Sequence, residues 1–238
     1  MNSPGPDLQA DGRLRAAVRA LLSRGVWCVI GAQLGLIILW RRFFSVDAGT
    51  ERLEMLLLAF ALAGFLYVTA GVSQALANSR ETVGIRAALR AGTRSYGPFL
   101  WMIAKLALLS GVLLNLVVYL GGEAGAGESP AWSKQVAGYL PLIQGLIGFV
   151  FVYWLPIVFV RRNFALFETL RAALVTARQA LPRAGYLAFL TLTPALLATV
   201  ADASMPLIAV LLLNLLGGVM EWIAYIYCVG WLQDKRST

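Results

Sequence analysis

The chain carries one short motif three times, as Arg15-Ala16-Ala17-Val18, Arg86-Ala87-Ala88-Leu89 and Arg171-Ala172-Ala173-Leu174. Each copy lies in a basic, amphipathic stretch, and each stretch is followed by an apolar hairpin. A basic amphipathic helix lies in the plane of a membrane surface, with its apolar side toward the lipid. The repeats therefore predict three units of one kind, in each of which a surface helix precedes two membrane-spanning helices.

The composition is that of a membrane protein. Of the 238 residues, 59% are hydrophobic and 13% are charged, whereas a soluble domain carries about 25% charged residues. The first apolar run is predicted to be retained rather than cleaved as a signal, because Trp40-Arg41-Arg42 stands where cleavage needs small residues. A spanning helix needs about 20 apolar residues, and six segments are predicted as spans: 25–45, 54–77, 97–120, 136–160, 184–201 and 205–232.

The predicted fold is therefore all-α and polytopic. Residues 1–11 form a disordered cytoplasmic tail, and residues 12–238 form a single six-helix membrane domain. The net charge of +8 is distributed unevenly, because most arginines precede span one, separate spans two and three, or separate spans four and five. Segments rich in Lys and Arg remain in the cytoplasm. This pattern predicts a multi-pass membrane protein with both termini in the cytoplasm, and it does not indicate binding to nucleic acid.

Amphipathic cytoplasmic interfacial helices are predicted before spans one, three and five, from Gly12, over 80–96 and over 163–181. Gly84 and Gly92 interrupt the second. Alternatively, these segments are ordinary cytoplasmic loops whose Ala and Arg content reflects genomic base composition. In the third helix the apolar stripe is Phe164, Phe167, Leu170, Leu174 and Leu181, opposite Glu168, Arg171, Arg178 and Gln179. The residues expected to contact anionic lipid headgroups or a protein partner are Arg15, Arg19, Arg86, Arg90, Arg171 and Arg178.

Two charged residues lie inside predicted spans. Lys105 in span three and Glu221 in span six are each roughly 12–17 Å from the cytoplasmic end, at about 1.5 Å per residue, and Asn214 shares the helix face of Glu221. An unpaired charge at such depth costs about 2.5–3.5 kcal/mol on insertion scales. An intramembrane ion pair of Lys105 and Glu221, with Asn214 as a polar neighbour, is one prediction. The alternative is that Lys105 extends to the headgroups and Glu221 is protonated.

The remaining polar residues of the spans, among them Gln33 and Gln74, are expected to bond neighbouring helices. Gly31-Ala-Gln-Leu-Gly35 permits close helix approach, either inside the bundle or in a homodimer. The chain has no histidine, two isolated cysteines and no glycine-rich phosphate loop. These features give no reason to expect a catalytic site, a metal or a cofactor. An enzyme is therefore not predicted.

Three segments carry a resemblance to a known group: Gly84-Ile-Arg-Ala-Ala-Leu-Arg-Ala-Gly-Thr-Arg-Ser-Tyr-Gly-Pro-Phe-Leu, Leu155-Pro-Ile-Val-Phe-Val, and Phe167-Glu-Thr-Leu-Arg-Ala-Ala-Leu. In these segments the chain resembles the bacterial YciC-like integral membrane proteins, which are related to the membrane domain fused to some glycerophosphodiester phosphodiesterases. The resemblance implies a six-helix inner-membrane protein without catalytic residues.

The predicted function is a non-enzymatic scaffold or accessory role in envelope or lipid-related processes. The basic interfacial helices would contact anionic lipid or a membrane or cytoplasmic protein. The alternative is the permease subunit of a transporter resembling the ABC-2 type, which works with a separate ATPase. In that case the segments 80–96 and 163–181 would dock the ATPase.

Overall fold

The computed structural model describes residues 6–43, 51–79, 82–121, 152–180, 193 and 205–237. Within these residues the chain is helical, with short connections and no strand. The helices are α1 (Pro6–Leu21), α2 (Arg24–Phe43), α3 (Glu51–Asn78), α4 (Ile85–Gly121), α5 (Val152–Arg161), α6 (Leu166–Ala180) and α7 (Leu207–Ser237).

Three of these helices are long and apolar enough to cross a membrane, over Met55–Asn78, Ile85–Val112 and Leu207–Asp234. A fourth candidate is the pair Gly12–Leu21 and Arg24–Leu39, which is bent by 64°. The described residues thus hold three or four candidate spans, not the six predicted. The predicted span 184–201, apart from Thr193, and residues 136–151 of the fourth span lie outside the described residues.

The break between α1 and α2 is closed by backbone hydrogen bonds. The amides of Leu22 and Ser23 donate to the carbonyls of Arg19 and Ala20 at 3.1 and 3.0 Å. Such short-range bonds tighten the last turn of a helix and satisfy carbonyls that have no partner further along. The amide of Gly25, at the start of α2, donates to Val83 O at 3.0 Å. This bond fixes the first turn of α2 against the connection between α3 and α4.

Two predicted boundaries are wrong. Helix α1 begins at Pro6, inside the segment predicted as a disordered tail, of which residues 1–5 lie outside the described residues. Helix α4 runs without a break from Ile85 through Pro98, so 80–96 is not an interfacial helix separate from span three. The reason is that Gly92 does not end a helix here: a Cβ on it would lie 3.1 Å from the ring of Tyr67, so the glycine makes room for a neighbouring helix.

Helices α3 and α4 pack closely. A Cβ on Gly71 would lie 2.2 Å from the carbonyl oxygen of Ala88, and the hydroxyl of Tyr67 donates to Leu89 O at 2.9 Å. Small residues allow backbones to approach in this way between helices that lack a hydrophobic driving force in lipid. The α3–α4 hairpin is therefore held by glycine-mediated backbone contact and by a tyrosine that bonds the facing helix.

The buried core lies at one end of the bundle, called here the arginine-rich end. The start of α2, the end of α3, the start of α4, the end of α5 and the last turns of α7 come together there. The buried apolar residues there include Val26, Val29, Ile30, Ala70, Val72, Leu76, Ala88, Phe99, Ile157, Phe159, Ala173, Ala224 and Cys228.

Toward the other end, large apolar side chains are exposed. On α3 alone, Leu53 is 65% and Phe60 is 74% exposed. Contiguous exposed apolar surface of this kind marks contact with a membrane or a partner. The arrangement is compatible with helices whose outer surfaces lie in hydrocarbon.

Candidate functional site

A cleft of about 510 Å³ lies at the arginine-rich end between α5, α6 and α7. We call it the α5–α7 cleft. Its polar lining includes Arg161 at the end of α5, and Glu168, Arg171 and Gln179 on α6. Trp231 of α7 and apolar side chains of all three helices complete the wall. The cleft therefore combines two guanidinium groups and one carboxylate with an apolar surface.

The turn between α5 and α6 places the two adjacent arginines apart. Arg162 has a φ of 52°, the left-handed conformation that commonly ends a helix, and the amide of Asn163 donates to Val158 O at 3.1 Å. The side chain of Asn163 accepts from the amide of Ala165 at 2.9 Å and forms an Asx turn directly before α6. Arg162 donates to Asn78 Oδ1 at 3.0 Å. Arg162 is thus bound to α3, whereas Arg161 lines the cleft.

A buried hydrogen bond fixes α5 against α6. The indole Nε1 of Trp154 donates to Thr169 Oγ1 at 2.9 Å, and that hydroxyl donates to Ala165 O at 2.7 Å. Both side chains are almost fully buried, at 1% and 2% exposure. Because an unmade bond between buried polar groups costs about 1–3 kcal/mol, this pair holds the two helices in one relative orientation. Because α5 and α6 both line the cleft, its shape depends on that orientation.

Helix α7 is held against α3 by two polar contacts in its C-terminal half. The side chain of Gln233 donates to Ala77 O at 2.8 Å, and the hydroxyl of Tyr225 donates to Ser73 O at 3.2 Å. Trp231 lies between these two positions in the sequence, so its place at the cleft is determined by both. The Nε of Arg13 lies 3.0 Å from Asp234 Oδ2 and joins α1 to the same end of α7.

The charges of the cleft are not neutralised by one another. Neither Arg161 nor Arg171 forms an ion pair with another described residue, although Glu168 lines the same cleft. Arg161, Glu168 and Arg171 are all exposed. The guanidinium groups can therefore bind an anion that enters from solvent or from the membrane surface, since arginine presents a planar fork of donors to phosphate or carboxylate.

The six arginines expected to contact lipid or a partner are all exposed: Arg15, Arg19, Arg86, Arg90, Arg171 and Arg178. Among them, Arg171 lines the α5–α7 cleft. Arg161, Glu168 and Trp231 were not predicted as site residues. The sequence feature that could have indicated this site is the Arg161-Arg162 pair directly after an apolar run. Nothing in the sequence placed that pair beside α7.

Helix α6 is confirmed over Leu166–Ala180, and it presents three faces rather than two. Phe167 and Leu174 of the predicted apolar stripe are exposed, at 71% and 53%. Phe164 and Leu170 of that stripe are partly buried against the core, and Leu181 lies outside the described residues. The fully buried face consists of Leu166, Thr169, Ala173, Thr176 and Ala177. Small residues allow α6 to lie close to the bundle, while the large apolar residues remain on the surface.

The structure does not bring Lys105 and Glu221 together. The ammonium of Lys105 lies 5.2 Å from the centroid of the Trp101 ring, and no ion pair between the described residues joins it to Glu221. Asn214 bonds its own helix, since its side-chain nitrogen donates to Val210 O at 2.8 Å. Lys105 and Glu221 are both exposed, so each side chain faces the surroundings of the bundle.

The other polar residues of the spans differ in what they contact. Gln74 donates to Asn78 Oδ1 at 3.1 Å and to Phe159 O at 3.4 Å, and so joins α3 to α5. A Cβ on Gly31 or Gly35 would meet no described atom within 4 Å, whereas a Cβ on Gly218 would lie 3.3 Å from Gln33 Oε1. Within the described residues, α2 therefore approaches α7 at Gly218 and not through the Gly31–Gly35 motif.

Within the described ranges, no three acidic or cysteine side chains are grouped as metal ligands. Comparison of the chain with protein-family models, with curated proteins and with solved structures finds no match. The resemblance to the YciC-like group remains a prediction that rests on the three quoted segments.

Proposed function

We propose that this protein is a six-span, multi-pass protein of a bacterial inner membrane that binds anionic lipid through its arginine-rich end. It would act there as a non-enzymatic scaffold or accessory protein in envelope or lipid-related processes. The bond between Arg13 and Asp234 supports this topology, because it places both ends of the described chain at one end of the bundle. An even number of crossings is required for that arrangement, as six spans provide.

The observation that carries the proposal is the pairing of exposed arginines with exposed large apolar residues. On α1, Leu14 and Val18 are exposed beside Arg15 and Arg19. On α6, Phe167 and Leu174 are exposed on the helix that carries Arg171 and Arg178. A surface that offers both apolar side chains and guanidinium groups fits the boundary between acyl chains and headgroups. Each basic residue near an anionic surface contributes about 1 kcal/mol of attraction.

The test is to extract the tagged protein into native nanodiscs and measure, by mass spectrometry, the lipids and proteins that accompany it. One variant replaces the six predicted contact arginines by Gln, and a matched control replaces the same six by Lys, which retains the charge. We expect enrichment of anionic lipid over the bulk membrane for the wild type and the Lys variant, and its loss in the Gln variant.

Two results would overturn the proposal. Lipid composition equal to that of the bulk membrane for the wild type would remove the basis for lipid binding. A stoichiometric ATPase that co-purifies with the wild type and is lost with the six arginines would instead establish the permease alternative.

A further inference from the structure

The α5–α7 cleft lies at the end of an apolar helix that is long enough to cross a membrane. The apolar segment of α7 that is long enough to span a membrane ends at Asp234, and Trp231 is within one turn of that end. Arg161 is the last residue of α5. Tryptophan is enriched at membrane–water interfaces, where one side of the ring is apolar and the other is wet. A ligand in this cleft would therefore meet the arginines at headgroup depth.

The charge of the cleft fits a singly charged anion. Arg161, Arg171 and Glu168 together carry one excess positive charge. A phosphodiester carries one negative charge and accepts two parallel hydrogen bonds from a guanidinium. A headgroup with hydroxyl groups could in addition donate to the carboxylate of Glu168. A zwitterionic headgroup would supply its own positive charge, so the excess positive charge of the cleft would remain uncompensated.

The apolar part of the wall favours a lipid over a soluble phosphate ester. Val160, Val175 and Leu232 line the same cleft as the two arginines, and Val175 is 51% exposed. The glycerol backbone and the first methylene groups of a phospholipid would cover these side chains, which a small hydrophilic anion cannot do. The volume of about 510 Å³ lies within the usual range of small-molecule sites, about 300–1,000 Å³.

We propose that the α5–α7 cleft binds the headgroup of one anionic phospholipid of the phosphatidylglycerol type, with its phosphodiester on Arg161 and Arg171. This inference rests on the proposed lipid-binding function and assigns it to a single site. Phosphatidylglycerol is the probe because it combines one phosphodiester charge with a hydroxyl-bearing headgroup. Glu168 accepts a headgroup hydroxyl, and the apolar wall covers the glycerol backbone.

The experiment is native mass spectrometry of the purified full chain in mild detergent, titrated separately with phosphatidylglycerol, phosphatidylethanolamine and sn-glycerol 3-phosphate. Arg161→Gln and Arg171→Gln remove one guanidinium each. Arg24→Gln is the matched control, because Arg24 is exposed at the arginine-rich end, does not line the cleft and is not one of the six arginines of the proposed lipid contact. Val175→Trp fills the cleft without changing its charge. Thermal unfolding of each variant confirms that it is folded.

We expect one phosphatidylglycerol molecule to bind the wild type more tightly than the other two probes. Arg161→Gln and Arg171→Gln should each weaken the binding of phosphatidylglycerol about tenfold, because each variant loses one hydrogen bond to a charged group. Val175→Trp should also weaken phosphatidylglycerol binding, and Arg24→Gln should leave it within about twofold, because the contribution of an exposed charge outside the cleft is small.

Three outcomes would overturn the assignment. An equal loss of affinity in Arg171→Gln and Arg24→Gln would show a diffuse attraction, so the cleft would be wrong while the proposed function stands. Equal affinity for sn-glycerol 3-phosphate, with the same dependence on Arg171, would make the site one for soluble phosphate esters. No preference of the wild type for phosphatidylglycerol over phosphatidylethanolamine would contradict the cleft and the proposed function together.

Discussion

Replacement of Gly71 by Ala is expected to separate α3 from α4. The new Cβ would lie 2.2 Å from the carbonyl oxygen of Ala88, and ordinary contact begins at 3.4 Å, so the helices must move apart by about 1 Å. Overpacking of a well-packed contact costs about 1–3 kcal/mol. We expect the upper part of that range, because the obstructing atom belongs to the backbone and cannot rotate away.

The assay is thermal unfolding in mild detergent. The measured quantity is the fraction of the protein that remains monodisperse after heating. A cost of about 3 kcal/mol corresponds to a fall of roughly 6–12 °C in Tm, at about 2–4 °C per kcal/mol for a chain of this size. Gly64→Ala is the matched control, since Gly64 lies two turns earlier on α3 and a Cβ there meets nothing within 4 Å. That substitution should stabilise the helix by about 0.5–1 kcal/mol.

The double variant Gly71→Ala with Ala88→Gly tests whether the backbone or the side chain of residue 88 obstructs the new methyl group. The atom that obstructs Gly71 is the carbonyl oxygen of residue 88 and not its methyl group, so Ala88→Gly should not restore the lost Tm. Equal Tm values for Gly71→Ala and Gly64→Ala would refute the close α3–α4 packing, and full rescue by Ala88→Gly would refute its assignment to the backbone.

Two further pairs of substitutions can be followed by the same thermal assay. Trp154→Phe removes the buried donor to Thr169 and should cost about 1–3 kcal/mol of stability. When it is combined with Thr169→Val, the total loss of stability should be smaller than the sum of the two single losses. Fully additive losses would contradict the hydrogen bond. Lys105→Ala and Glu221→Ala should instead have additive effects, because the two side chains do not meet; a coupling above about 0.5 kcal/mol would show that they do.

The apolar runs predicted most of the described helices because their period and length reflect burial in a nonpolar environment. The predicted spans 25–45, 54–77 and 205–232 correspond to α2, α3 and α7, with boundaries that differ by a few residues. The start of α4 was missed because glycine has a low helix propensity, about 1 kcal/mol below alanine. At Gly92 the contact with Tyr67 outweighs that propensity, and a tertiary contact of this kind leaves no local pattern in the sequence.

The face that α6 buries was also not predictable from hydrophobicity alone. Phe167 and Leu174 are more apolar than Ala173 and Thr169, yet the smaller pair is the buried one. Close approach of helices favours small residues where lipid, rather than water, covers the larger ones.

The α5–α7 cleft depends on contacts between distant parts of the chain. Arg161 and Arg171 are near one another in sequence, but Trp231 follows Arg171 only after sixty residues. The hydrogen bonds that Gln233 and Tyr225 make with α3 hold α7 in the bundle, and Trp231 is thereby placed beside α6. A sequence pattern that extends over one or two helices cannot show such a site. The arginine pair after α5 was visible, but its apolar neighbour on α7 was not.

The bond between Arg13 and Asp234 sets an order for biosynthesis. The two residues are 221 positions apart, and a ribosome adds about 5–20 residues per second, so the partner of α1 is translated roughly 10–45 s after α1 itself. During this interval Ala17, Ala20 and Leu21, which are buried in the finished protein, have no α7 to cover them. Truncation after α6 would leave that surface permanently open to chaperones and membrane proteases. The burial of α1 is therefore completed only after α7 has left the ribosome.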